Sequence, residues 1–363
     1  MSLSKDMMTC QSDASESDER SCSTVSPSLN PGFPQISVVV CLYNPDLKKA
    51  LLTLASIVCQ VNVDYEVILA DDGSREDLTG ALKKYLLESG FEGHVEVLRG
   101  DLNQGTVKNI ANALEYVRAP FVKLISPGDC LYCDTTLATI VGHLEKTGAD
   151  LAFGKAVYYS LSPEVEVFDI SRPSFPEKYD MERFGRAVAL DNILTNWDLV
   201  LGVTMSFRTS SFKSAIGSLV GHVKYVEDNT SLVSIMMKGG TTSLIDCFVV
   251  WYEYGSGVST RRDSKWSTAI ACDYREFWDV MLSLYPGDRR IERRKRMAQF
   301  QIGRKGVSTF RRAVWELTHP FGLLRLARTI VARCRYKCTG YDKSYINAYL
   351  ESVDERVCRV IGE

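Results

Sequence analysis

Residues 121–132 read FVKLISPGDCLY, a short apolar strand followed by a turn that ends on one carboxylate, Asp129. Ser126, Pro127 and Gly128 supply the turn chemistry. In an α/β sheet, a carboxylate just past the carboxyl end of a strand lies in the crevice where ligands bind. Asp129 is therefore the first candidate for a ligand contact. Taken alone, an Asp in this position suits the capping of the turn or of a following helix equally well.

The same strand, turn and helix rhythm surrounds it. Ile36 to Tyr43, ISVVVCLY, is a nearly unbroken β-branched run, the pattern of a strand buried on both faces of a parallel sheet. Asn44 and Pro45 end it, and Leu47, Leu51, Leu54 and Val58 then define one apolar helix face with Asp46 near its start. Glu66 to Ala70 is a second strand, followed by Asp71-Asp72-Gly73-Ser74 and a helix marked by Leu78, Leu82 and Tyr85. Val95 to Leu98 is a third, followed by Asn103-Gln104-Gly105-Thr106 and a helix with Val107, Ile110, Leu114 and Val117 inward. Behind Phe121 to Ile125, the fourth, lie Leu137, Ile140, Val141 and Leu144. This alternation predicts an α/β fold: a doubly wound, mostly parallel sheet with helices on both faces.

Composition sets the bounds. The chain has 363 residues, 45% hydrophobic and 24% charged, enough for one large or two smaller domains. The net charge of -2 points to no partner by itself. The 11 cysteines are scattered and follow no secretory-signal pattern, so the expectation is free thiols in a reducing cytoplasm. Cys130 with Cys133, and Cys334 with Cys338, lack a second pair at zinc spacing. No apolar run is long enough to span a membrane. Residues 1–35, rich in Ser and acids, read as a disordered tail.

Function has to be argued from the turns, because such sheets host many activities. Neither GxGxxG nor GxxxxGK[ST] follows the first strand. Instead, three strand ends offer Cys41-Leu42-Tyr43-Asn44, the Asp71-Asp72 pair and Asp129 to one crevice. An acidic crevice repels phosphate directly. A divalent cation bridging carboxylate and diphosphate resolves that conflict, because magnesium and manganese are held by few carboxylates plus substrate oxygens.

Residues 36 to about 260 resemble a family 2 glycosyltransferase of the GT-A fold. SVVVCLYN is similar to that family's opening strand, DDGS to its nucleotide-binding turn, NQGTVKN to the turn before the next helix, and SPGD to its metal-binding acidic motif. The resemblance implies that Asp72 contacts the nucleotide base with Cys41 and Tyr43 beside it. It also implies that Gly105, Lys108 and Asn109 serve the donor, with Lys108 near the diphosphate, and that Asp129 is a direct ligand of Mn2+ or Mg2+. The family's acidic motif usually carries two or three carboxylates; here only Asp129 remains. Downstream, Gly202 to Arg208 resembles the acceptor-side strand, and Glu227-Asp228 opens a helix with Leu232, Ile235 and Met236 inward. Acids in a first helical turn suit the dipole. The pair also resembles the family's Glu-Asp motif, which implies Asp228 as catalytic base and Glu227 as its support. Trp251 to Arg262, WYEYGSGVSTRR, reads as a loop closing over the diphosphate.

From Pro286 to Lys337 there are 15 Arg and Lys against 3 Asp and Glu, a local balance of +12. Leu323, Ala327, Ile330 and Cys334 share one helical face, with Arg325, Arg328 and Arg335 opposite, a pattern suited to an anionic membrane surface. A solvated basic face on a packing helix is the plainer alternative, and no nucleic-acid signature is present. The expected organisation is the tail, a GT-A domain over 36–265 (nucleotide-sugar half 36–150, acceptor half 151–265) and a helical, basic C-terminal extension over 266–363. The expected activity is inverting transfer of a hexose from a nucleotide sugar, a UDP-hexose, to a hydroxyl of a glycan acceptor, lipid-linked, in surface polysaccharide or glycoconjugate synthesis. Its site would be cytoplasmic, peripheral on the membrane, and without nucleic acid. A non-catalytic sugar-nucleotide or glycan binding module and a nucleotidyltransferase are the alternatives.

Overall fold

The computed structural model describes residues 33–161, 164–255, 264–302, 327, 330–331 and 338–361. Most of the expected tail lies outside the described residues, as do Arg261 and Arg262 and most of the amphipathic basic stretch.

The four expected parallel strands form: β1 (Ile36–Leu42), β2 (Tyr65–Asp71), β3 (Val95–Arg99) and β4 (Phe121–Ile125). Four helices, α1 (Leu47–Val58), α2 (Thr79–Glu88), α3 (Thr106–Leu114) and α4 (Thr136–Thr147), follow them, α4 after a two-residue strand β5 (Cys130–Leu131). Asp46 caps α1 by accepting from the Lys49 N–H at 3.0 Å. The sheet order is β3-β2-β1-β4-β8-β6-β9-β5, with β6 (Leu151–Leu161), β8 (Met205–Arg208) and β9 (Thr242–Glu253) completing it and β7 (Val165–Phe168) paired to β6. The strands β1 to β4 are parallel to one another; β8 runs antiparallel to both β4 and β6.

Alternate residues of β1 feed two cores. Val38 and Val40 face α1, α2 and α4, while Val39 faces α3 and the later helices on that side of the sheet. Those helices are α5 (Met181–Phe184), α6 (Arg186–Leu194), α7 (Thr209–Gly217), α8 (Asp228–Met237), α9 (Ser264–Leu284) and α10 (Arg289–Ile302). The last helix, α11 (Ser344–Ile361), returns to α1, where Ile346, Tyr349 and Val353 are buried. The C-terminal region therefore packs on both faces of the sheet domain.

One expectation is corrected here. Trp251 to Glu253 is not loop: it ends β9, with Trp251 paired to Cys130 of β5 and to Val157 of β6 and wholly buried. A strand with partners on both sides satisfies its backbone, which a solvent-facing loop at these positions would not. Only residues beyond Gly255 remain for a closing loop, and they lie outside the described residues.

Candidate active site

The first wall of the crevice is built from the turns after β1 and β2. Asp71 accepts the N–H and hydroxyl of Ser74, and Ser74 Oγ in turn accepts the Asn44 N–H at 2.7 Å. Asn44 Oδ1 accepts the Arg75 N–H at 3.0 Å, which locks the two turns together. Asp72 points the other way. Its two carboxylate oxygens accept the N–H groups of Gln104 and Gly105, each at 2.8 Å. Burial raises the Asp72 carboxyl, opposed by those two hydrogen bonds and by Lys224.

Gly105 carries this turn to the segment around Lys224. Its φ is +94°, and a Cβ there would stand 2.7 Å from the Lys224 carbonyl oxygen, so only glycine fits. That same carbonyl accepts the Val107 N–H at 3.1 Å. Asp273 of α9 holds the segment from the far side, accepting the Lys224 and Tyr225 N–H groups at 3.1 and 2.5 Å. Three residues on stand Glu227 and Asp228. The DDGS turn and the acid pair thus belong to one hydrogen-bonded unit.

Asp228 opens α8, and its Oδ1 accepts the Asn229 N–H at 2.6 Å. Asn229 is buried and clasps Val200, accepting its N–H at 3.0 Å and donating to its carbonyl at 2.9 Å. The next turn brings Gly202 against the Asp228 side chain. Burial pushes Glu227 up to about 8, with the charges of Asp228 and Asp273 adding to it. Burial also raises Asp228, against the pull of its Asn229 hydrogen bond. The two carboxyls titrate together, and near neutrality the pair resists taking a second negative charge. Burial raises the Cys41 thiol, and the charges of Glu227 and Asp72 add to it.

The SPGD turn is held by contacts of its own. Thr53 of α1 accepts the Gly128 N–H at 3.0 Å and donates to the Asp129 carbonyl at 2.8 Å, and Tyr159 donates to the Gly128 carbonyl. Asp129 Oδ1 accepts the Glu253 N–H at 3.0 Å. Glu253 Oε1 pairs with Lys49 Nζ at 2.6 Å. Burial pushes Asp129 up to about 8; the Glu253 N–H works against this and the Glu253 charge with it. Beneath the turn, Lys123 is fully buried on β4 and donates to the carbonyls of Val203 and Met205. Burial pulls its ammonium down to about 7, with Asp129 opposing.

The expected site residues are thus distributed unevenly. Cys41, Asp72 and Gly105 gather with Glu227 and Asp228, and Asp129 stands with Glu253 and Lys49. Tyr43 is 48% exposed after β1, and Lys108 is exposed in the first turn of α3. Asn109 is buried and donates to the Ala70 carbonyl at 2.9 Å, so it fastens α3 to β2. Sequence reasoning passed over Glu253, Lys49, Lys123 and Asp273. Lys123 alone left a trace, as a charge inside an apolar strand.

Comparison with known proteins concerns the fold that carries these residues. Residues 37–197 match the sequence model of glycosyl transferase family 2. No curated protein sequence matches the chain. Among solved structures, S. aureus TarS 1-349 in complex with UDP-GlcNAc is similar at 17% identity with a TM-score of 0.54, over 82% of this chain and 79% of that one. S. aureus TarS 1-349 alone gives 17% and 0.51 over 82% and 80%. The longer S. aureus TarS chain gives 17% and 0.50 over 82% of this chain and 48% of its own. At that identity the likeness concerns the fold, a GT-A sheet. Residues 37–197 of the chain are thus similar to glycosyl transferase family 2, on a fold of the GT-A type.

Proposed function

We propose that the protein is an inverting glycosyltransferase that moves a hexose from a UDP-hexose to a hydroxyl of a lipid-linked glycan acceptor, in surface polysaccharide or glycoconjugate synthesis. The observation that carries this reading is the link from Asp72 through Gly105 and Lys224 to Glu227 and Asp228. It joins the donor turn of the family to an acid pair that can accept a proton. A uridine donor agrees with S. aureus TarS, solved with UDP-GlcNAc on the same fold.

In this reading Asp72, Cys41 and Tyr43 receive the nucleotide, and Gly105, Lys108 and Asn109 shape the wall beside the diphosphate. Lys108, exposed at the start of α3, adds positive charge there. Asp228 takes the proton of the acceptor hydroxyl. Glu227, protonated beside it, keeps that charge from being doubled. Asp129 holds a divalent cation, Mn2+ or Mg2+; its carboxylate, with a second carboxylate at hand in Glu253, is an oxygen donor set that suits such ions. When bound, the cation supplies positive charge to the departing diphosphate.

The basic segment supports work at a cytoplasmic membrane surface, where a lipid-linked acceptor resides. Of its apolar face, Ala327 and Ile330 are described, both helical and exposed. No described helix is long and apolar enough to cross a membrane. The test is release of free UDP from UDP-hexoses with and without acceptor. Release that depends on the acceptor supports transfer; tight UDP-sugar binding without release makes the protein a binding module.

A further inference from the structure

The SPGD turn has Ser126 and Gly128 where its family usually places further acids, and the structure shows what stands there instead. Gly128 has φ +97°, and a Cβ built on it would overlap Glu253 Oε2 and lie 3.1 Å from Glu253 Cδ. The carboxylate of Glu253, 125 positions further along the chain, fills the space that a side chain at 128 would take. It is brought there by the pairing of β5 with β9, Cys130 opposite Trp251, and fixed by its own N–H, which donates to Asp129 Oδ1 at 3.0 Å. Both Asp129 and Glu253 are 7% exposed.

Two carboxylates held this close out of water repel each other unless a cation sits with them. Here that cation is Lys49, 2.6 Å from Glu253 Oε1. Its position is otherwise poor. Lys49 lies in the first turn of α1, where the helix dipole disfavours positive charge, and its side chain is 31% exposed. The ammonium pairs with Glu253 alone, whereas a divalent ion takes oxygen ligands from both carboxylates and from diphosphate together.

We propose that Glu253 supplies, from β9, the second carboxylate that the SPGD turn lacks, so that Asp129 and Glu253 together hold the divalent cation and Lys49 occupies the cation's place in its absence. The assignment rests on the glycosyltransferase reading of the crevice. Donor binding then exchanges a monovalent for a divalent counter-ion at one spot, and Gly128 is required because any side chain there would evict Glu253.

Titration of the full chain with MnCl2, with and without UDP, followed by the paramagnetic resonance of free Mn2+ and by calorimetry, tests this. Wild type binds Mn2+ more tightly with UDP present. Glu253→Gln weakens Mn2+ at least tenfold, and Lys49→Met, which keeps both carboxylates, tightens it severalfold. Wild-type Mn2+ affinity in a folded Glu253→Gln overturns the assignment, and if that variant does not fold, unchanged affinity in Lys49→Met overturns it. Wild type that binds UDP equally with chelator and takes up no Mn2+ sinks the cation site and leaves the transferase reading standing. Wild type that binds no UDP sinks both.

Discussion

Gly202 lies directly against Asp228: a Cβ at position 202 would stand 2.8 Å from Asp228 Cβ and 2.9 Å from its Oδ2. The turn that carries Gly202 is tied from below by Lys123, which donates to the carbonyls of Val203 and Met205. The orientation of the proposed base is thus set by backbone from another part of the chain.

Gly202→Ala tests that relationship. The new methyl must displace the Asp228 carboxylate by several tenths of an ångström, and small misplacement of a reacting group is costly. The expected outcome is a turnover lower by about tenfold or more, with UDP affinity unchanged because Asp72 and Gly105 are untouched. A variant with full turnover shows that the carboxylate moves aside without consequence.

The paired acids give a pH signature. Glu227 is pushed up to about 8 by burial and by its acidic neighbours, so it carries a proton at neutral pH. Glu227→Gln imitates that protonated state and is expected to keep most of the activity near pH 7. In the wild type, a carboxyl whose folded pKa lies above its unfolded value near 4.5 stabilises the fold at low pH. That contribution is lost as the pH rises through about 8. The glutamine variant lacks the loss, so its thermal midpoint relative to wild type should rise from pH 6 to pH 9. A constant difference across that range removes the assigned proton.

How much of this was legible beforehand depends on the range of the contacts. Strand β1 was visible because burial on both faces demands an unbroken apolar run such as ISVVV, and β2 to β4 followed from the repeat of strand, turn and helix. Glu227-Asp228 was visible because a helix start is a local pattern. Glu253 was not: its place beside Asp129 comes from strand pairing across 124 residues. A contact of basic α10 was hidden for another reason. Its Arg294, 4% exposed, does not face solvent: it donates to the carbonyls of Leu194 and Thr195 and stacks on Trp197. A charged residue that caps carbonyls reads, in sequence, like a solvated one.

The basic segment divides accordingly. Ile346, Tyr349 and Val353 of α11 are buried on α1, each worth about 1.5–3 kcal/mol of apolar burial. Ending the chain before Ser344 should therefore lower the thermal midpoint by several degrees, through loss of packing. Membrane attachment is better tested in the full chain by Arg325→Gln, Arg328→Gln and Arg335→Gln together. The expected outcome is wild-type sedimentation with anionic vesicles at low salt, weakened by salt and by the triple substitution at about 1 kcal/mol per charge. A wild type that stays in the supernatant makes the segment a packing element.

The base itself is tested by Asp228→Asn, which keeps size and the acceptor for the Asn229 N–H but removes the capacity to take a proton. General-base assistance is worth about 10² to 10⁴ in rate. Loss of a favourable charge at a helix start costs only about 0.3 to 1 kcal/mol of stability. Burial has already raised this carboxyl, so neutralising it by substitution should cost the fold little or even stabilise it. The two roles therefore separate on two measurements. Turnover down at least a hundredfold with an unchanged or higher thermal midpoint makes Asp228 the base. Normal turnover with a lower midpoint makes it a helix-start residue and moves the search to Glu227, whose glutamine variant would then fail near pH 7 as well.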